Sequence, residues 1–234
     1  MRDPGIDSVA HGVKSFTGVR VLIFDLDGTL IDSKLDLALS VNAMLRDAGR
    51  AEIAYDAITA LVGNGAPVLV RRALGDSASD ADVERSLAFF LSYYREHMLD
   101  NTVLYPGVLE CLENLDGRSL AVLTNKPERF SRDILKGLGI ARYFQYVYGG
   151  NSFEKKKPDP IGVHTLLGHF AVAPQDAMVV GDSPVDVETA RNAGTWACGV
   201  TYGLGSDRLP DSSPDLLVDS LAQLPKILDG RAKN

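Results

Sequence analysis

The sequence predicts an α/β fold in which a doubly wound parallel sheet carries an inserted, all-helical domain. Two observations lead to this prediction. Short apolar runs alternate with segments of helical periodicity along most of the 234 residues, and one long stretch contains helical patterns alone. Runs that are apolar on both faces are typical of the interior strands of a parallel sheet. Strands that alternate with helices form βαβ units, so we expect a Rossmann-like core.

Five apolar runs are the candidate strands. Three of them are followed by a helical segment that begins at a proline, which suits the first turn of a helix. Two of these segments are also followed directly by glycine, the residue most common just past a helix end. The predicted strands are 19–24, 120–123, 146–148, 177–180 and 197–200, and the predicted helices are 127–138, 160–170 and 184–193.

The stretch that breaks the alternation lies between the first two runs. Apolar side chains recur at helical spacing over 37–48 and again over 83–98, without a run that would form a buried strand. We therefore predict a helical cap domain at 34–100, inserted into a catalytic core formed by 19–33 and 101–234. Residues 1–18 are polar and are interrupted by proline and glycine, so we expect a loose tail there.

Composition narrows the classes of function. The formal net charge of -7 argues against binding to nucleic acid or to a membrane surface, because both need a basic face. A small anionic substrate stays compatible with this charge. The two cysteines form no metal-binding cluster, and no signal peptide or membrane span is recognisable. We expect a cytoplasmic protein with reduced thiols, either a monomer or a homodimer.

Residues able to do chemistry follow the predicted strands. Ligands of an open α/β sheet bind beyond the carboxyl ends of its strands, so side chains at these positions are expected to converge. Asp25 and Asp27 follow the first run, and two strand-end carboxylates separated by one residue point to the same face. The other candidates are Thr124 and Asn125 after the second run, Lys157 beyond the third, and Asp182 and Asp186 after the fourth.

This set of side chains is typical of phosphoryl transfer. The reaction needs a nucleophile, a proton donor for the leaving oxygen, and cations that offset charge on the transferred oxygens. Magnesium prefers hard oxygen ligands, which Asp25 and Asp182 offer. The residues therefore predict an enzyme that uses Mg²⁺ and acts on a small phosphorylated metabolite.

The sequence also resembles the haloacid dehalogenase superfamily of phosphohydrolases. The resemblance lies in Phe-Asp-Leu-Asp-Gly-Thr at 24–29, the strand-end Thr124, Lys-Pro-Asp-Pro at 157–160 and Gly-Asp-Ser-Pro-Val-Asp at 181–186. These four elements occur in the order of the family and cover almost the whole chain after the tail.

The resemblance implies a role for each residue. An acid at Asp27 favours an oxygen leaving group over a halide, because only the oxygen needs a proton. Lys155 and Lys156, by contrast, are interpreted as a solvated charge run. The implied roles are Asp25 as the nucleophile that forms an aspartyl-phosphate and as a metal ligand, Asp27 as acid and base with its backbone carbonyl on the metal, Thr124 and Lys157 as holders of the phosphoryl oxygens, Asp182 as a metal ligand, and Asp186 as support for the metal shell.

The helical insert resembles the phosphoglycolate phosphatase branch of this superfamily, in Asp-Leu-Ala-Leu at 36–39 and in Val-Gly-Asn-Gly-Ala at 62–66. The turn Gly63-Asn64-Gly65 precedes a predicted helix, and a helix N-terminus suits a second anion such as a carboxylate. A plain connection between two helices is the alternative for this turn. Of Arg71 and Arg72, we expect that one faces solvent. The best single substrate is therefore 2-phosphoglycolate, which would give glycolate and phosphate.

Other functions stay open at this point. A related phosphatase could act on a sugar phosphate, a nucleotide or pyrophosphate, and a phosphomutase of the β-phosphoglucomutase type shares the two-aspartate motif. A phosphoaspartyl signalling module is the alternative that is not an enzyme, because its sheet also presents acids and a lysine at strand ends.

Overall fold

The computed structural model describes residues 15–231, and its core is one parallel sheet. The strands are β1 (Val21–Phe24), β2 (Ile31–Asp32), β3 (Val103–Leu104), β4 (Ser119–Leu123), β5 (Tyr146–Tyr148), β6 (Ala177–Gly181), β7 (Trp196–Val200) and β8 (Leu216–Val218). Six of them form the sheet in the order β5-β4-β1-β6-β7-β8, with every neighbouring pair parallel. β2 and β3 form a short antiparallel pair of their own.

Helices lie between and after these strands. They are α1 (Lys34–Asp47), α2 (Tyr55–Thr59), α3 (Ala66–Leu74), α4 (Asp80–His97), α5 (Val108–Glu113), α6 (Glu128–Gly137), α7 (Ile161–Phe170), α8 (Pro184–Ala193), α9 (Leu209–Ser212) and α10 (Leu224–Leu228). The sheet has buried apolar clusters on both faces, as a doubly wound α/β protein requires. The predicted fold class is confirmed.

β1 lies at the centre of the sheet and brings the site together. All four of its residues are buried, and Phe24 at its end is opposite Val122 of β4 and Val180 of β6. The strand order reverses direction here, since β4 lies on one side and β6 on the other. Ligands of such sheets bind at this point, beyond the carboxyl ends of the strands. Asp25, Thr124 and Asp182 are each close to one of these ends.

All five predicted strands are present, with small differences in their ends. β1 begins at Val21, two residues later than the start of the predicted strand 19–24. The sixth strand of the sheet, β8, was not predicted, because its short apolar run directly follows Ser213, Pro214 and Asp215, which are typical of a loop.

Four helices, α1 to α4, occupy the chain between β2 and β3. α1 packs against α4, and α3 packs against both. Buried apolar side chains such as Met44 and Phe90 form their common interior. α4 begins with a capping box, in which Ser79 and Asp82 satisfy each other's backbone N–H groups. The division into a cap at 34–100 and a core stays a prediction.

A buried carboxylate joins the two connections between this helical insert and the sheet. Asp36, in the first turn of α1, is 1% exposed. Its oxygens accept from the backbone N–H groups of Asn101 and Thr102 at 2.8–3.1 Å. The side chains of the same two residues donate at 2.8 and 2.7 Å. Asp36 therefore ties the start of α1 to the segment that returns to the sheet.

Residues 1–14 of the predicted tail lie outside the described residues. Just beyond them, Phe16 is buried against Trp196, with ring centroids 5.3 Å apart in an edge-to-face arrangement. In the part of the chain that the structure describes, none of the helices has the length and apolar character needed to span a bilayer.

Candidate active site

Asp25 directly follows β1, at the carboxyl-terminal end of the parallel strands. Its backbone N–H donates to the carbonyl of Val180 at 2.9 Å. Lys157 Nζ lies 2.9 Å from Asp25 Oδ1. This contact is electrostatic rather than a directed hydrogen bond, because the buried Oδ1 has no hydrogen-bond partner among the described residues. Burial raises the pKa of Asp25 to about 6; the Lys157 ammonium opposes the rise and the nearby Asp186 adds to it.

Asp182 and Asp186 complete an acidic cluster with Asp25. Both are 2% exposed. One carboxylate oxygen from each of the three residues lies within 4.8 Å of the other two. Burial raises the pKa of Asp182 to about 7, and repulsion from Asp186 and Asp25 contributes to the rise. A cation among these oxygens would offset the repulsion, and an all-oxygen set of donors suits Mg²⁺. The cluster can therefore hold a metal ion.

Asp182 and Asp186 have different hydrogen-bond partners. Asp182 accepts from Thr29 Oγ1 at 3.1 Å and from the backbone N–H of Gly205 at 2.9 Å. Asp186 Oδ1 accepts from Lys157 Nζ at 2.6 Å, and its Oδ2 accepts from the backbone and hydroxyl of Ser183. Both oxygens of Asp186 are thus occupied by protein donors, and they position the Lys157 ammonium beside Asp25.

Gly28 makes room for Asp182. Its φ of +84° lies in the region that side chains disfavour. A Cβ atom at this position would lie 2.3 Å from Asp182 Oδ2. The Asp-Gly-Thr turn after β1 therefore needs glycine both for its backbone conformation and for the close approach of the carboxylate.

Asp27 has a different environment from Asp25, although one residue separates them. Lys126 Nζ lies 2.9 and 3.1 Å from its two oxygens, and Ser33 Oγ donates to Oδ1 at 2.5 Å. The same ammonium donates to the hydroxyl of Tyr94 in α4 at 2.7 Å and lies 4.6 Å from the centre of its ring. The two strand-end carboxylates are therefore each paired with a separate lysine.

Sequence reasoning missed Lys126 and Tyr94. Lys126 directly follows Thr124 and Asn125, so the strand-end rule that selected those two residues could have included it. Tyr94 belongs to the apolar stripe of α4, and periodicity alone marks it as a core residue. Its side chain is 1% exposed, as a core residue would be, yet its hydroxyl reaches the site.

The loop after β4 joins the core to the helical insert. The backbone N–H of Thr124 donates to Tyr148 at 3.1 Å, and its hydroxyl accepts from the N–H of Lys126 at 3.3 Å. Asn125 Nδ2 lies 3.2 Å from the carbonyl oxygens of both Gly63 and Lys157. Asn125 therefore contacts the Gly63-Asn64-Gly65 turn and the lysine loop at the same time.

The Gly63-Asn64-Gly65 turn rests on the core through its carbonyl groups. Lys156 Nζ donates to the carbonyl of Asn64 at 3.0 Å, so this exposed lysine has a partner that a solvated charge run does not predict. Lys155 does fit that interpretation, since its exposed side chain pairs with Asp159. α3 begins directly after the turn, with Gly65 as its N-cap residue.

A cavity of about 160 Å³ lies between the insert and the sheet edge. Asp25, Asp27, Asp182 and Lys126 line it, together with the glycine turn. Of the two adjacent arginines, Arg72 lines the cavity, whereas Arg71 pairs with Asp80 at 2.6 Å on the outer surface.

Comparison with known proteins agrees with this geometry. Residues 22–200 match the family described as haloacid dehalogenase-like hydrolase. A phosphoglycolate phosphatase of Pseudomonas putida KT2440 is 44% identical over 220 residues, which are 90% of this chain and 80% of that protein. Phosphoglycolate phosphatase 1 of Pseudomonas aeruginosa PAO1 is 38% identical over 223 residues, 92% of this chain and 81% of the relative.

A solved structure is similar as well. The crystal structure of a predicted phosphoglycolate phosphatase from Haemophilus somnus has a TM-score of 0.86 at 35% identity, and the match covers 90% of this chain and 98% of that one. The predicted resemblance is confirmed, and with it the prediction of an enzyme rather than a signalling module. Because the family match spans most of the chain, including the strand-end carboxylates, this protein belongs to the haloacid dehalogenase-like hydrolases.

Proposed function

We propose that this protein is a magnesium-dependent phosphatase that hydrolyses 2-phosphoglycolate to glycolate and phosphate through an aspartyl-phosphate on Asp25. The relatives at 38–44% identity that are named phosphoglycolate phosphatase support the substrate. The observation that carries the mechanism is the separate pairing of two neighbouring carboxylates, Asp25 with Lys157 and Asp27 with Lys126. This pairing gives the two groups different chemistry although they share one strand end.

In the first step, an Asp25 carboxylate oxygen attacks phosphorus while the bond from phosphorus to the ester oxygen breaks. Asp27 gives its proton to that oxygen, and the alcohol leaves. Lys157 Nζ, beside Asp25, offsets the negative charge on the phosphoryl oxygens, and Thr124 orients them. Asp186 holds the Lys157 ammonium in place.

In the second step, Asp27 is a carboxylate and acts as a base. It takes a proton from water as the water oxygen attacks phosphorus, and the bond from phosphorus to Asp25 breaks. Phosphate leaves, and both aspartates return to their starting states. The Lys126 ammonium lies 2.9 Å from the Asp27 carboxylate and holds it in position.

The acidic cluster would hold the magnesium ion. We assign Asp25 and Asp182 as carboxylate ligands, with the backbone carbonyl of Asp27. Asp186 supports this shell through its contacts with Lys157 and Ser183. Bound there, Mg²⁺ would offset negative charge on the transferred phosphoryl group.

The substrate would lie in the cavity between the sheet edge and the insert. Thr124 and Asn125 line its core side, Lys157 lies beside the lining residue Asp25, and the turn of Gly63, Asn64 and Gly65 closes the opposite side. Asn125 and Lys156 hold this turn against the core. The N–H groups at the start of α3 can face the end of the substrate far from phosphorus.

Partners and location are further parts of the proposal. We infer a monomer or homodimer in the cytoplasm that has no nucleic-acid or membrane partner. The net charge of -7 and the two buried, free cysteines support this inference.

Phosphate release tests the function. The purified protein should hydrolyse 2-phosphoglycolate with Mg²⁺ faster than sugar phosphates, nucleotides or pyrophosphate, and should lose activity in excess chelator. Asp25→Asn should abolish turnover, because the near-isosteric amide cannot attack phosphorus. Full activity of this variant would contradict the covalent mechanism. Product analysis for an isomerised sugar phosphate separates a phosphomutase from a phosphatase.

A further inference from the structure

Lys126 is a buried cation in the wall of the cavity, and the reaction steps use it only through its contact with Asp27. Its side chain is 4% exposed, yet it lines the cavity together with Asp27 and Tyr94. Its Nζ lies 2.9 Å from Asp27 Oδ1 and 2.7 Å from the hydroxyl oxygen of Tyr94. The side chain is therefore an ammonium group that faces the substrate space.

The positioning of Asp27 does not by itself explain why an ammonium group lies at this place. Asp27 Oδ1 already accepts a short hydrogen bond from Ser33 Oγ. The ammonium has three N–H donors, and one is used by the Tyr94 hydroxyl. The others face Asp27. When Asp27 turns one oxygen to the ester oxygen of the substrate, a donor of Lys126 becomes available to another acceptor.

The geometry of the substrate identifies that acceptor. Asp27 must contact the ester oxygen in order to protonate it. In 2-phosphoglycolate the carboxylate is attached to the carbon next to this oxygen, and with bonds of about 1.5 Å its own oxygens lie about 3 Å from it. Lys126 Nζ lies 2.9 Å from Asp27 Oδ1. A substrate engaged by Asp27 can therefore place its carboxylate within hydrogen-bond range of Lys126.

The other cations near the cavity fit this role less well. Lys157 is engaged by Asp25 and Asp186. Arg208 has a side chain that is 59% exposed. Arg72 is exposed and contacts the carbonyl of Leu61 within the helical insert.

We propose that the Lys126 ammonium, with the Tyr94 hydroxyl behind it, is the subsite that binds the carboxylate of the substrate. The enzyme then selects phosphomonoesters that carry a carboxylate on the carbon next to the ester oxygen. The proposal rests on the proposed function and adds to it the residue that recognises this class of substrate. Because Tyr94 belongs to α4, the insert contributes to selectivity through this tyrosine as well as through its glycine turn.

A pair of substrates that differ only in the carboxylate tests the proposal. 2-Hydroxyethyl phosphate replaces the carboxylate of 2-phosphoglycolate with a neutral CH₂OH group. Lys126→Met should lower the ratio of kcat/KM for 2-phosphoglycolate to kcat/KM for 2-hydroxyethyl phosphate by about 10- to 100-fold, as expected for one charge-assisted hydrogen bond. Lys126→Arg keeps the charge and should retain much of the ratio. Tyr94→Phe, which keeps the ring, should lower it by a few fold.

The ratio separates recognition from a loss of Asp27 positioning, which would slow both substrates equally. Equal losses in Lys126→Met would overturn the proposal. If Lys126→Met proves unstable, Tyr94→Phe decides the matter, and an unchanged ratio in Tyr94→Phe would also overturn the proposal. The matched control is Lys155→Met, whose lysine is 72% exposed and pairs with Asp159; it should change neither rate.

Two further outcomes locate the error if the proposal is wrong. If Arg72→Gln lowers the ratio while Lys126→Met leaves it unchanged, the carboxylate binds at Arg72 instead. Arg71→Gln is the control for this variant. A wild-type ratio near one would contradict both 2-phosphoglycolate as the substrate and the Lys126 subsite. A high wild-type ratio that Lys126→Met does not change would contradict the subsite alone.

Discussion

Neutralising Asp182 should stabilise the metal-free protein at alkaline pH, although it should remove activity. The pKa of Asp182 is raised from 3.8 to about 7, first by burial and then by the neighbouring Asp186 and Asp25. The folded protein therefore binds this proton more tightly than the unfolded chain does. The stability that the protonated group contributes is fully present below about pH 4 and is lost as the pH rises through about 7.

The size of the effect follows from the difference in pKa. About three pH units at about 1.4 kcal/mol each correspond to about 4 kcal/mol, of which about 3 kcal/mol is lost between about pH 5 and pH 8. Asp182→Asn removes this dependence. The amide can no longer accept from both Thr29 and Gly205, which should cost about 1–2 kcal/mol at every pH. The variant should thus be about as stable as the wild type at about pH 5 and more stable than the wild type at about pH 8.

Urea unfolding in the presence of chelator measures the free energy of unfolding of both proteins at each pH. The fluorescence of the single tryptophan, Trp196, is the probe. Asp207→Asn is the control, since that side chain is 81% exposed and lies outside the cluster. Added Mg²⁺ should stabilise the wild type more at about pH 8 than at about pH 5, and should have little effect on Asp182→Asn. Parallel stability curves for the wild type and Asp182→Asn across this pH range would refute the reasoning.

Three other variants test separate parts of the structure. Asp27→Asn should slow phosphorylation more for an alkyl phosphate than for p-nitrophenyl phosphate, whose leaving group needs less protonation; equal losses in single-turnover experiments would contradict the acid role. Gly65→Val places a branched side chain at a φ of +84° with its Cβ 3.0 Å from a core carbonyl, and should reduce kcat/KM for 2-phosphoglycolate more than for p-nitrophenyl phosphate. Gly75→Val is its control, because φ there is +80° but the space is open, and an equal loss in both variants would mean that strain alone acts. Asp36→Ala leaves buried backbone and side-chain donors without an acceptor and should lower the free energy of unfolding by about 3 kcal/mol, and a change under about 1 kcal/mol in urea unfolding would contradict the role of Asp36 as a tie.

The positions of the strand-end side chains were predictable because they follow from local patterns. An apolar run predicts a strand, the next residues lie at its carboxyl end, and parallel strands present their ends at one edge. Asp25, Thr124 and Asp182 could therefore be selected from the sequence without knowledge of any contact. β8 was not predicted, since its three residues directly follow the loop-forming residues Ser213, Pro214 and Asp215.

The sequence by itself determined the fold class, the position of the helical insert and the strand-end carboxylates, because each depends on neighbours within one strand or helix. Only the tertiary structure decided which side chains pair across the site. Lys126 and Asp27 are 99 residues apart, and Tyr94 reaches them only because α4 packs over the sheet edge. The packing of the insert likewise turns Arg72 toward the cavity and Arg71 away from it. Such contacts depend on how two distant parts of the chain pack against each other, and this packing produces no periodic pattern in the sequence.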